Sequence, residues 1–349
     1  MGLTLGTSAA TAQKILDEYV VAGATSDLES LAPEVVVRSP LRRDPFVGRD
    51  GFRDHVTRIR TAFPDLQVEI LDTIAEDRAA VLRWKMSGTQ RGALGEFPAS
   101  GRHVTVEALE LYRLDGEGRV TEIITEIDPM QVLLQIGAVP EGGMGAEDGL
   151  PKPAALVMSA RMAYLRVRSK RGEQPPPIPD EQAPPAVQGD DAKTERTRKT
   201  AYEVFDRYIR RLDFSDASLL TSDVHLYTHA RPEPFVGPDE VRGFLEMIHT
   251  AFPGAVFAAE QEVAQDDRAT LRWVLRGRSG GSLLGVPPSH RPIVLPALEF
   301  MRVTADGRVG EVRLKLNPLS VLTQIGILPN RIPRPAMWAI KRRVAKGGT

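Results

Sequence analysis

Chemistry in this chain rests on carboxylates, histidines, tyrosines and hydroxyls, because it contains no cysteine. That removes thiolate zinc sites, iron–sulfur ligation, disulfides and a cysteine nucleophile. Strand alternation sorts the remaining polar residues. If Arg83 and Glu110, repeated as Arg272 and Glu299, share an outer polar face, then Trp84, Met86, Glu107, Leu109 and Leu111 point inward. Glu107 is then the one acid on an apolar wall, where burial raises a carboxyl pKa and suits it to proton transfer. Asp44, in the loop ahead of the second helix, is the reserve acid. His103 at a hairpin end is a further candidate for the ligand pocket. His225, Tyr227 and His229 alternate on one strand, where histidines four apart lie roughly 13 Å from each other, too far to share a metal. Gly277-Arg278-Ser279-Gly280-Gly281 spells a nucleophile elbow, but it falls in a hairpin loop and not in the strand–turn–helix that motif needs. No phosphate-cradling loop, dinucleotide fingerprint or zinc helix is present. Neither a metal nor a cofactor is expected.

The elements that position these residues occur twice. Phe46-Val47-Gly48 through Ala62-Phe63-Pro64 recurs as Phe235-Val236-Gly237 through Ala251-Phe252-Pro253. The same offset carries Leu82-Arg83-Trp84 onto Leu271-Arg272-Trp273 and Gln135-Ile136-Gly137 onto Gln324-Ile325-Gly326. The period is too long for a solenoid and marks a duplicated domain. Within a copy, helical spacing comes first: Ile15, Leu16, Tyr19 and Val20 in one, Tyr202, Phe205, Tyr208 and Ile209 in the other. A second helix over 50–62 stops at Pro64. Strand-like runs follow at 67–74, 79–88, 103–114 and 119–127. Helices segregated before an antiparallel meander predict an α+β domain. The expected layout is a first domain over 1–141, a linker over 142–193 with a basic helix near 154–170 and a Pro-rich spacer, a second domain over 194–330, and a basic helix over 331–349.

The 349 residues include 45 Lys+Arg and 46 Asp+Glu, so no global basic field draws the protein to nucleic acid. No apolar run is long enough to span a bilayer. The chain start lacks the charged and apolar regions of a secretory signal, and a cytoplasmic location is expected.

The ordered motifs resemble the SnoaL-like polyketide cyclases of the nuclear transport factor 2-like superfamily. They are Pro-Phe-x-Gly-x-Asp, Phe-Pro-Asp, Arg-Trp on a central strand, and a closing (Asp/Asn)-Pro-x-x-x-Leu-x-Gln-Ile-Gly. The resemblance implies two tandem cone-shaped α+β barrels, each with helices packed on a curved antiparallel sheet around an apolar pocket. It implies an apolar small-molecule ligand and domain pairing within one chain. The family's strand carboxylate, acid and base for aldol closure, aligns with Thr125 in copy one and Leu314 in copy two. Asp128 matches a second family aspartate, and Asn317 replaces it in the repeat.

Glu107 and Asp44 are thus the catalytic candidates. Tyr19, Arg38, Trp84, Met86, His103, Leu109, Thr125, Asp128, Tyr208, Tyr227, Trp273 and Phe300 are the pocket candidates. The second copy, with Pro296 at the position of Glu107, reads as degenerate. The expected function is a cofactor-free cyclase or isomerase on a polyketide-like molecule in natural product biosynthesis. Two alternatives stay open: a non-catalytic binding pseudo-dimer, and a tandem epoxide hydrolase/cyclase of polyether biosynthesis.

Overall fold

The computed structural model describes residues 5–138 except 41 and 43, residues 192–327 except 284 and 285, and residues 338, 340–342 and 344. The expected linker helix and Pro-rich spacer lie outside the described residues. The chain forms two compact units, one from the first copy together with the C-terminal segment and one from the second copy.

In the first unit, α1 (Leu5–Lys14) continues as a π-helical stretch over Ile15–Val21, followed by β1 (Leu31–Arg38), β2 (Phe46–Val47) and α2 (Gly48–Ala62). Then come β3 (Gln67–Glu76), β4 (Ala79–Thr89), β5 (His103–Leu114), β6 (Val120–Glu126) and α3 (Pro129–Gln135). The second unit repeats the order. It has α4 (Ala192–Val204), a π-helical stretch over Phe205–Arg210, β7 (Leu220–Tyr227), β8 (Phe235–Val236) and α5 (Gly237–Ala251). Four long strands and a helix complete it: β9 (Val256–Gln265), β10 (Arg268–Arg278), β11 (Pro292–Val303), β12 (Val309–Leu316) and α6 (Pro318–Gln324).

Each unit builds one open six-stranded sheet, ordered β2-β1-β6-β5-β4-β3 and β8-β7-β12-β11-β10-β9. The sheets do not close into barrels, and each is mixed: β1 runs parallel to β6 and β7 parallel to β12. The repeated Phe-Val-Gly has a backbone cause. Gly48 and Gly237 sit at φ +73° and +81°, where a side chain is strained. Asp128 and Asn317 are the N-caps of α3 and α6, their side-chain oxygens accepting backbone N–H groups of the first turn.

The helices cover one face of each sheet. In the first unit this inner core includes Leu16, Tyr19, Val35, Phe52, Leu82, Trp84, Tyr112 and Ile123. Ile340 and Val344, from the helical residues at the C-terminus, belong to this same core. The first unit is therefore completed by residues that follow the second in sequence. We expect Ile340→Ala to cost it about 2–5 kcal/mol, the usual range for emptying a buried aliphatic position. Hydrogen exchange read by mass spectrometry should show protection lost across β3–β6 and kept across β9–β12. Equal loss in both units would refute this.

Candidate functional site

Cross-strand register decides which residues face the helices. On β4 and β5, Trp84 lies opposite Ala108, Leu82 opposite Glu110, and Arg83 opposite Leu109. Glu110 therefore shares the inner face with Leu82 and Trp84, and Glu107 lies on the outer face. This reverses the expected phase of β5. Glu107 forms an ion pair with Arg83 (Nη1–Oε1 2.9 Å) on the side away from the core. The second unit pairs the equivalent Arg272 with Glu260 of β9 at 2.9 Å, since Pro296 holds the position of Glu107. The alternation misled because Leu109 and Leu111 are buried on the outer face as fully as the inner residues are on theirs. Hydrophobicity alone cannot choose the phase of a strand that is apolar on both sides.

Several other expected pocket residues move with this correction. Leu109 and Phe300 are outer-face residues, by their register with Glu126 and Arg313. Arg38 donates to Glu122 across the outer side of β1 and β6 (2.6 Å). Tyr227 stacks on His225 and lies under the Arg313 guanidinium, outside the core. His103 and Asp44 are exposed. Asp128 is spent on its helix cap. Tyr19, Trp84, Met86, Thr125, Tyr208 and Trp273 face the interior. The elbow-like segment is loop: Gly280 and Gly281 donate to Ala251 O, and a Cβ on Gly281 would meet Thr250 O at 1.9 Å. Close packing, on the Pro253 ring at Gly280 and on the Thr250 carbonyl at Gly281, explains these glycines without catalysis.

What the inner faces carry is a buried carboxylate at the same place in each unit. In the first, three donors converge on Glu110. Trp84 Nε1 reaches Oε2 at 2.9 Å, the Tyr112 hydroxyl reaches Oε2 at 2.7 Å, and Thr125 Oγ1 reaches Oε1 at 2.6 Å. Burial and the neighbouring Glu110 push the Tyr112 phenol well up, so it keeps its proton and donates. In the second unit, Trp273 Nε1 donates to Glu299 Oε2 at 2.9 Å, but Met301 and Leu314 replace the two hydroxyls. Burial raises the Glu299 pKa to about 7, opposed by the single indole hydrogen bond.

Glu299 also lines a cavity of about 20 Å³ with Val204, Tyr208, Val224, Val241, Leu245 and Leu314 among its walls. That volume holds about one water-sized guest, so a larger ligand enters only by displacing side chains. The Tyr208 hydroxyl is committed to Asp216 O at 3.0 Å. In the first unit Phe52 stands where the second has Val241, and its ring packs edge-on against Tyr19 at 6.1 Å. The second copy, expected to be stripped of chemistry, thus holds a titrating acid beside a cavity. At the equivalent positions of the first, Phe52 is buried and three donors close on Glu110.

The profile of the SnoaL-like polyketide cyclase family matches residues 10–136 and again 199–325, most of the chain in two blocks. The chain belongs to the SnoaL-like polyketide cyclases. No curated protein matches it. Among solved structures it is similar to a protein assigned as a SnoaL-like polyketide cyclase from Jannaschia sp. CCS1, at 23% identity and TM-score 0.37, covering 41% of this chain and 100% of that one. It is also similar to TsrD from Streptomyces laurentii, at 27% identity and TM-score 0.33, covering 37% and 97% of the two chains. A SnoaL-like polyketide cyclase from Agrobacterium tumefaciens matches at 19% identity and TM-score 0.32, covering 37% and 98%.

Within this SnoaL-like pair, sequence reasoning missed Glu110 and Glu299 as inward acids. A signal was there: both copies keep the acid in an otherwise apolar run, with the same spacing to Arg-Trp. Among the described residues no helix is long and apolar enough to cross a membrane.

Proposed function

We propose that this chain is a cofactor-free acid/base enzyme, a cyclase or isomerase of an uncharged polyketide-like carbonyl compound, whose proton-transfer group is Glu299 of the second unit. The observation that carries this reading is a buried carboxyl group with a pKa of about 7, facing an aliphatic cavity and held by one hydrogen bond. A general base works best when its pKa lies near the operating pH. Trp273 fixes Oε2, which leaves Oε1 to the substrate. Oε1 takes a proton from a carbon next to a carbonyl and leaves an enolate. That carbon attacks a second carbonyl of the same molecule, a C–C bond forms, and the resulting alkoxide takes the proton back from Glu299. Isomerisation uses the same first step and returns the proton to another carbon.

Epoxide opening by paired carboxylates is less well supported, since Glu299 is the one carboxylate among the residues lining the cavity. A non-catalytic binding role needs only the cavity, and activity separates it from the enzyme reading. The test is loss of α-deuterium from deuterated 1-tetralone, followed by proton NMR in ordinary water. The intact protein should accelerate exchange with an apparent midpoint near pH 7. Glu299→Gln should lower the rate by about 10²–10⁴, the usual contribution of a positioned acid or base. Glu107→Gln should leave it unchanged. A Glu299→Gln protein that exchanges at the full rate would reject the assignment.

A further inference from the structure

The two buried carboxylates differ in what satisfies them, and the difference outlines a missing partner. Both accept a tryptophan N–H on Oε2 at 2.9 Å. Glu110 also receives Thr125 on Oε1 and Tyr112 on Oε2. Glu299 meets Leu314 and Met301 at those positions, and its Oε1 accepts no hydrogen bond among the described residues. Because Glu299 lines the cavity, a bound hydroxyl or enol can supply there the hydrogen bond that Thr125 supplies to Glu110. The carbon volume changes in step: Phe52 is fully buried in the first unit, while Val241 in the second lines the small cavity.

We propose that the first unit carries built-in surrogates for the ligand that the second unit binds. In this reading the Thr125 hydroxyl and Tyr112 phenol mark where a ligand's enol or hydroxyl oxygen meets the carboxylate. The Phe52 ring marks where its apolar carbons lie. Val241 and Leu314, which line the cavity, are then the specificity-determining residues of the second site, because each withholds an atom group that would occupy it, while Met301 withholds the phenol from Glu299. The chain binds one such molecule, not two. The ligand is uncharged, because the cavity wall holds no Lys, Arg or His to neutralise an anion. This inference rests on the proposed role of the second unit, and binding tests it apart from turnover.

The probe is 1-naphthol, an aromatic mimic of the 1-tetralone enol, titrated calorimetrically into the full chain at pH 6. The wild type should bind one equivalent. Leu314→Thr, which supplies the surrogate hydroxyl to Glu299, should weaken binding about tenfold, the equivalent of one hydrogen bond. The triple variant Val241→Phe/Met301→Tyr/Leu314→Thr should bind none. The reciprocal Phe52→Val/Tyr112→Met/Thr125→Leu should bind two. Zero or two equivalents on the wild type, or unchanged affinity in a folded Leu314→Thr protein, overturns the proposal. The single variant keeps the test alive should either triple variant not fold. One equivalent bound, together with full deuterium exchange by Glu299→Gln, would leave this inference standing and remove the catalytic one.

Discussion

Raising the pH from 4.5 to 7 should strip about 3 kcal/mol of stability from the second unit through Glu299 alone. An unfolded glutamate titrates near 4.5 and Glu299 near 7 in the fold, with burial as the cause. Between those values the folded unit binds a proton that the unfolded chain has released, so each rise in pH favours unfolding. The contribution is fully present below pH 4.5 and is lost as the pH passes 7. A gap of roughly two and a half pKa units corresponds to about 3 kcal/mol. Glu299→Gln keeps the shape, cannot ionise, and should remove this slope. The readout is hydrogen exchange of β10 and β11 peptides between pH 5 and 8, corrected for intrinsic exchange, in wild type and variant. The same slope in both proteins would mean that Glu299 is not the titrating group. Leu314→Thr should fall between them, because a new donor to the carboxylate favours its charged form.

The fold was legible because its signals were redundant. Helical spacing around Tyr19 and Tyr208, the stop at Pro64 and the offset repeat all point one way, and the structure follows them. The β1–β6 parallel pair was less legible, since a short apolar run such as Val35-Val36-Val37 does not announce its partner. The phase of β4 was read correctly from Trp84 and Met86, whose neighbour Arg83 cannot share their side. The phase of β5 was lost at Leu109, where both faces are apolar and an acid sits on each: Glu107 outside, Glu110 inside. Charge pairing was the wrong arbiter there, because Arg83 can reach Glu107 diagonally as easily as an acid directly opposite. The consequence travelled to function, since moving one strand by one face transfers the candidate chemistry from the first copy to the second. The contrast between Phe52 and Val241 was visible in the repeat, but its meaning needed the cavity.

Acid should act on the first unit in the opposite sense, through His55 on α2. Burial lowers its pKa from 6.5 to about 4, against the small opposing pull of Asp54. The ring packs on Phe46 at 4.9 Å, and the Arg42 guanidinium lies over that same Phe46 ring at 4.4 Å, so a second cation beside it is poorly placed. Between pH 6.5 and 4 the unfolded chain carries the proton and the folded unit does not. Lowering the pH through this window therefore favours unfolding, by about 3 kcal/mol when complete, and the contribution is intact above pH 6.5. The second unit supplies the control substitution: Phe244 holds the equivalent position and packs on Phe235 at 5.1 Å, under Arg231. His55→Phe should fit the same surroundings and abolish this part of the acid lability. The measurement is the wild-type-minus-variant difference in exchange protection of β1 and α2 peptides at pH 4.5 and 7, which cancels the carboxylates common to both proteins. Protection that falls equally in the two at pH 4.5 would show that His55 does not gate acid unfolding. Protection that falls in the wild type alone would assign this acid lability to the histidine that stands at 55 where the second unit has Phe244.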